Sequence, residues 1–294
     1  MNILVLGAEG YVGRYLCSSL PGQIFKASRS IDSDLTFDAS EIDASVNRII
    51  DFVRENDITV VINAVAMANV DECQEKTSKC KLINFEFVSL LTDQLKAFEG
   101  VHFVHFSTNA VYGGNDYPFN ESSEKYPVNI YGYYKKMADD YITNSGLVSY
   151  TILRPITIIG PRLNRGRHNP LSFIVDMLKA GNKIKLVDDN VVNYLYINDF
   201  ISCIKLVIEK KYYGEFNISG DVSESRYYFG IRIARNMNLE PEMCVEMARS
   251  DEFPTIAPRA YNTSFDNSKM KSILGVTPTD LDEVLLKVIN FDNE

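Results

Sequence analysis

The stretch NILVLGAEGYVG, residues 2–13, decides the architecture. Ile3 to Leu6 is a short run of branched apolar residues, the composition of a strand covered on both faces. Gly7, Gly10 and Gly13 follow at once, and an amphipathic segment, Tyr11–Leu20, begins among them. Residues without Cβ let a loop turn tightly and let a pyrophosphate approach a helix N-terminus, where free N–H groups and the dipole favour negative charge. Glycines alone are common in turns; their position between a strand and a helix is what carries the reading.

Working outward, further apolar runs at Gln23–Ser28, Ile58–Asn63, Val101–Ser107 and Val148–Arg154 alternate with helix-like segments near Glu41–Glu55, Asp71–Phe98 and Val128–Asn144. Such alternation predicts an α/β, Rossmann-type doubly wound parallel sheet with right-handed crossovers. After Arg154 the rhythm breaks at a polar loop, GPRLNRGRHNP, residues 160–170. Helices near Leu171–Ala180, Asp199–Lys210, Glu224–Met237, Asn267–Leu274 and Asp280–Ile289, with strands near Lys183–Val187 and Tyr194–Ile197, complete the chain. The expected division is a nucleotide-binding domain over 1–157, rejoined by 190–215. Residues 158–189 and 216–294 form a smaller C-terminal α/β substrate lobe.

The 294 residues suit two domains or one large domain with a lobe. Thirty basic against 39 acidic residues, net −9, argue against nucleic acid or an anionic membrane as partner. They leave room for a small anionic ligand in a local basic pocket. The N-terminal apolar run lacks the basic flank of a signal peptide, and no run of 18 apolar residues exists to span a membrane. The five cysteines, Cys17, Cys73, Cys80, Cys203 and Cys244, are scattered without a CxxC. They read as reduced thiols of a cytoplasmic protein, and no metal site is expected. Cys73 and Cys80 could share one helix face.

The acid that would hold a ribose 2′-hydroxyl is missing after the second strand, where the chain reads Ser28-Arg29-Ser30. Arg29 can pair with a 2′-phosphate, which favours NADP; a solvated surface Arg is the alternative. Asp32 and Asp34 keep NAD open. Asp38 either contacts the adenine edge or caps the next helix.

Tyr131 and Lys135 are four apart in YGYYK, on one face of a helix. An ammonium nearby is expected to lower the phenol pKa and make Tyr131 a proton donor or acceptor; an ordinary exposed pair is the competing reading. Tyr133 and Tyr134 meet Met137 and Ala138 at that spacing and do not compete. Ser107 and Thr108 close a strand at the edge where doubly wound sheets bind ligands, so a hydroxyl there either donates to a substrate carbonyl oxygen or bonds to backbone. Asn84, poor in a helix middle by propensity, either organises a water path to Lys135 or is a satisfied buried Asn. His102 and His105 are three apart on one strand, which points them to opposite faces and makes a poor metal pair.

With these residues in view, the chain resembles the extended short-chain dehydrogenase/reductases, and most of all their dTDP-4-dehydrorhamnose reductase branch. The motifs are GAEGYVG (7–13), INAVAMANVDECQ (62–74), Asn84, FSTNAVYGG (106–114), PFNE (118–121), PVNIYGYYK (127–135), LRP (153–155), and RAYNTSFDNSKM (259–270) followed by LG (274–275). The resemblance implies a Thr108–Tyr131–Lys135 triad supported by Asn84. It implies that NADPH delivers hydride to the C4 ketone of a nucleotide-linked 4-keto-6-deoxy sugar. It further implies a cofactor site of Gly7, Glu9, Gly10, Tyr11, Val12, Gly13, Arg29, Asp38, Ala64, Val65, Ala66, Ser107, Tyr131, Lys135 and Pro155.

For the nucleotide-diphosphate sugar, Asn109, Tyr112, Glu121, Arg162, Arg165, Arg167 and Arg259 are the candidate contacts, the arginines for phosphate. His168 adds to the basic loop. A solvated flexible loop competes with the phosphate-clamp reading. Asn109-Ala110 follows Thr108 where that branch usually has an Asp, and the acid pair of the 4,6-dehydratases is absent, which argues against dehydration. VYGG leans toward sugar epimerases, and Ile158-Ile159 precedes Gly160 where an aromatic is common. An epimerase on the same scaffold and a non-catalytic NADP-binding regulatory subunit are therefore the alternatives. A homodimer is expected.

Overall fold

The computed structural model describes residues 1–114, 117–162 and 168–291. Ile3–Leu6 lies within β1 (Asn2–Leu6), with all four side chains fully buried. β1 sits inside a seven-stranded sheet with β2 (Gln23–Ser28), β3 (Leu35–Thr36), β4 (Val60–Asn63), β5 (His102–Phe106), β6 (Tyr150–Pro155) and β10 (Gly214–Ile218). The order is β10-β6-β5-β4-β1-β2-β3, and every pairing is parallel. Strand order reverses between β1 and β4, so their carboxyl ends splay apart and open a crevice for a ligand.

Period-2 alternation divides the core. Ile3, Val5, Ile62 and Val104 pack toward α1 (Tyr11–Ser19) and, much later in the chain, α8 (Ile197–Lys210). Leu4, Leu6, Val61 and Phe103 pack on the opposite face with α2 (Ile42–Glu55), α5 (Phe87–Leu95) and α6 (Ile130–Asn144).

The segment expected as one helix over 71–98 is broken. It runs as α3 (Val70–Glu75), α4 (Thr77–Lys81), a π turn at Leu82–Glu86, and α5. Lys76 leaves helical geometry at φ −109°, ψ 54°. Asn69 caps α3, accepting from the Asp71 and Glu72 amides, so the chain re-enters helix in two steps.

The smaller lobe carries β7 (Thr157–Ile159), β9 (Val191–Tyr196) and β11 (Ser223–Ser225) in one sheet, and β8 (Ile184–Val187) with β12 (Val245–Ala248) in another. Around them lie α7 (Pro170–Lys179), α9 (Arg226–Asn236), α10 (Pro241–Cys244) and α11 (Leu281–Ile289). Two expected boundaries move. β10 is one strand of the main sheet and spans the division expected at 215. The segment expected as helix from Glu224 begins as strand β11, because Ser225 caps α9 by accepting from the Tyr228 amide. Among the described residues no helix is long and apolar enough to cross a membrane.

Candidate active site

The glycine loop has the close-packed form that the sequence predicts. Gly7 adopts φ +85°, and a Cβ on Gly13 would lie 2.2 Å from the Gly7 carbonyl oxygen, so α1 sits directly on the loop. α1 opens at Gly10 with no side-chain cap, which leaves first-turn N–H groups for a ligand. Beside it lies a cleft of about 580 Å³. Gly7, Glu9, Gly10, Arg29, Asp38, Ala64, Val65 and Ala66 line it, all expected from the sequence. The cradle fits a dinucleotide: glycines form the loop at the start of α1, and two cations line the same cleft.

Those cations are Arg29 and Lys79, and only Arg29 is legible in sequence. Lys79 reaches the cleft because the break at Lys76 redirects α4 toward it. Asp34 Oδ2 accepts the Lys26 amide at 2.7 Å, and neither it nor Asp32 lines the cleft. Asp38 lines it but also caps the turn before α2, accepting from Ser40 N and Oγ at 2.9 and 2.7 Å, which holds its carboxyl below the usual range. Tyr11 departs from its expected role. Its phenol donates to the Pro161 carbonyl at 3.2 Å and stacks edge-on with Tyr15, so the side chain serves the smaller lobe.

At the carboxyl end of β5, Thr108 Oγ1 accepts from the Ala110 amide at 3.2 Å, donates to Asn109 Oδ1 at 3.3 Å, and neighbours the Tyr131 phenol. α6 brings Tyr131 there because Asn129 caps it, accepting from the Gly132 amide at 2.9 Å, and donates to Pro258 O at 3.0 Å. Lys135, one turn on, is fully buried. The expected lowering of the phenol by Lys135 is not found. Burial pushes Tyr131 up to about 12, the nearby Thr108 hydroxyl opposes this, and the thiols of Cys73 and Cys80 add to it. The reason is where Nζ points: it donates to the Phe106 carbonyl at 2.6 Å and lies 3.0 Å from His105 Nε2. Burial in turn pulls Lys135 down to about 8.

Asn84 also departs from the water-path reading. Its Oδ1 accepts the Met67 amide at 2.9 Å, and Nδ2 donates to Met67 O at 3.0 Å and to Cys80 Sγ at 3.2 Å. It therefore pins the cleft wall at Met67, through the π turn that carries it. Cys73 and Cys80 are buried on either side of the α3–α4 break, Cys73 Sγ donating to Met67 O at 3.1 Å and Cys80 Sγ accepting from Asn84 Nδ2 at 3.2 Å. Ser107 Oγ is buried at the strand end without a hydrogen-bond partner among the described residues, and Pro155 closes β6.

The profile of the RmlD substrate-binding domain family matches residues 1–292. The chain belongs to that family. It is 25% identical over 302 residues to a dTDP-4-dehydrorhamnose reductase of Aggregatibacter actinomycetemcomitans, covering 98% of each chain. Among solved structures it superposes with TM-score 0.86 on a dTDP-4-dehydrorhamnose reductase of Clostridium acetobutylicum, at 24% identity and full coverage of both chains. The same score relates it to a dTDP-4-dehydrorhamnose reductase of Bacillus anthracis in complex with NADP, at 21% identity, covering 100% of this chain and 99% of that one.

Within this RmlD-family chain the expected substrate contacts separate. Asn109 ties the turn after β5 to the 262–264 segment, its Nδ2 donating to Thr263 Oγ1 at 2.7 Å. Tyr112 does not line a pocket: it is fully buried, its phenol 3.3 Å from Arg154 and 3.2 Å from Asn120 O. Glu121 accepts the Asn217 amide at 2.7 Å and ties its loop to β10. Arg259 is engaged with Asp71 at 3.0 Å and with Ala257 O at 2.7 Å, which fastens the 256–259 segment to α3. Arg162 and His168 both approach Asp176, at 3.6 and 3.5 Å. Arg165 and Arg167 lie outside the described residues.

Proposed function

We propose that this protein catalyses NADPH-dependent reduction of the C4 ketone of a nucleotide-linked 4-keto-6-deoxy sugar, as the dTDP-4-dehydrorhamnose reductases do by name. One observation carries the reading: the buried Tyr131 phenol neighbours the Thr108 hydroxyl at the carboxyl edge of the sheet that also carries a glycine-loop cleft lined by two cations. The nicotinamide supplies the hydride when bound. Thr108 and Tyr131 hold the carbonyl oxygen, and the Tyr131 proton ends on that oxygen as the alcohol forms. A phenol held at about 12 keeps its proton until an alkoxide, a stronger base, develops beside it. Arg29 and Lys79 take the 2′-phosphate, Ser107 and Pro155 border the nicotinamide end, and Asn109 faces the sugar.

In the same proposal the seven-stranded sheet, which runs through β6 and is rejoined at β10, and the helices on it hold the cofactor, and the smaller lobe holds the sugar nucleotide. The enzyme serves deoxysugar and polysaccharide synthesis in the cytoplasm as a homodimer. The test is NADPH oxidation, followed spectrophotometrically, against dTDP-, GDP-, UDP- and CDP-linked 4-keto sugars. Stoichiometric loss of NADPH with one of them is expected. Interconversion of sugars without NADPH loss would favour an epimerase, and cofactor binding without turnover a regulatory subunit.

A further inference from the structure

Behind Tyr131 three buried polar side chains from three elements meet in a row. Asn63 ends β4, His105 lies opposite it in register on β5, and Lys135 reaches both from α6. None of the three has measurable exposure. Asn63 Oδ1 accepts the Val65 amide at 3.1 Å, which turns Nδ2 toward His105 Nδ1 at 3.2 Å. His105 Nε2 then lies 3.0 Å from Lys135 Nζ, and Nζ donates to Phe106 O at 2.6 Å.

Counting protons along this row decides its state. An amide nitrogen only donates, so His105 Nδ1 is the acceptor and the neutral ring carries its proton on Nε2. That Nε2–H points at Nζ. An ammonium has three donors and no acceptor, whereas a neutral amine offers a lone pair to Nε2–H and still donates to Phe106 O. Turning the Asn63 amide over gives no relief, because Nδ2 would then face the Val65 N–H. A doubly protonated ring is opposed by burial and by the charges of Lys135 and Arg154, which hold His105 well below its ordinary range.

We infer that Asn63 and His105 are positioning residues for Lys135: by aiming Nε2–H at Nζ they favour the unprotonated amine and so set the proton affinity of the lysine one turn along α6 from Tyr131. This rests on the reductase reading. A proton lost from the Lys135 ammonium leaves a lone pair on Nζ that accepts Nε2–H of His105. Other groups also face this row. Asp139, one turn along α6, and Cys80 on α4 favour the ammonium, and burial outweighs them. Arg154 on β6 acts on His105, and Tyr131 shares the face of α6.

The test is nuclear magnetic resonance of the whole protein with 15N-labelled histidine and lysine, without substrate. His105 signals are assigned by their loss in His105→Gln, and Lys135 by its loss in Lys135→Arg. The proton is expected on Nε2. Asn63→Asp keeps the acceptor for the Val65 amide but removes the donor facing Nδ1, so the ring proton moves to Nδ1 and Nε2 becomes an acceptor. Lys135 should then titrate about one pH unit or more higher, a tenfold change in proton affinity. The alkaline limb of the kcat profile should move with it. His105→Gln, whose side-chain oxygen can face Nζ, should act in the same direction and serves if Asn63→Asp folds poorly. A wild-type ring protonated on Nδ1, or a Lys135 titration unmoved in the folded variant, overturns the assignment. Turnover with the proton on Nδ1 sinks this inference alone; the expected tautomer and titration in a protein that consumes no NADPH uphold it and sink the reductase reading.

Discussion

A Cβ placed on Gly132 would lie 2.0 Å from the carbonyl oxygen of Ala110. The first turn of α6 is thus pressed directly against the turn that follows β5. That contact sets the separation of Tyr131, next to Gly132, from Thr108, which caps the same turn. Gly132→Ala must push the two apart, because the obstacle is backbone. A displacement near 1 Å at a reacting group costs roughly a hundredfold in rate. We therefore expect kcat to fall by about that factor. NADPH affinity should be nearly unchanged, since Gly132 does not line the cleft. Steady-state kinetics alongside fluorescence titration of NADPH checks both halves.

Removing the phenol oxygen isolates proton supply. Tyr131→Phe should lower kcat by roughly a hundredfold or more, within the range for a lost general acid, and leave NADPH binding in place. Unimpaired turnover would exclude Tyr131 as the acid.

Cofactor choice should follow Arg29 and Lys79, the two cations on the cleft wall. Arg29→Asp removes a phosphate partner and adds repulsion, so the ratio of kcat/KM for NADPH over NADH should drop. Lys79→Ala should lower the same ratio less, because a lone ammonium lacks the bidentate fit of a guanidinium. If neither substitution changes the ratio, the 2′-phosphate is read elsewhere.

These positions also show what the residues could disclose in advance. β1, the glycine loop and the Tyr131–Lys135 spacing are local patterns, and the chain folds them as they read. Lys79 was illegible because it enters the cleft only through the break at Lys76, whose π turn is held by Asn84 bonding to Met67 across the fold. Tyr112 read as a pocket residue because a phenol suits a sugar. Its hydroxyl is instead consumed by Arg154 and Asn120 in the core. Spacing placed Lys135 on the correct helix face but said nothing of its far end, which β5 captures through Phe106 O and His105.

His102, on the same strand as His105, contributes to the loss of stability in acid. Its Nε2 is 2.8 Å from Thr151 Oγ1, and that hydroxyl spends its own proton on Tyr212 O at 2.6 Å, so Nε2–H is the donor. Nδ1 is buried with no partner. A second proton would have to sit there, so burial, aided by Lys211, pulls the ring down to about 4 from 6.5. Between those values the unfolded chain binds a proton that the native ring refuses, so stability falls as pH drops from 6.5 toward 4. The loss is on the order of 3 kcal/mol across the window. His102→Gln can keep the donor to Thr151 without titrating. His105 titrates alike in both proteins, so the difference isolates His102. Chemical denaturation at a series of pH values should give a slope shallower by about one proton in the variant. Parallel curves would mean that His102 is already protonated, or rehydrated, in the native state.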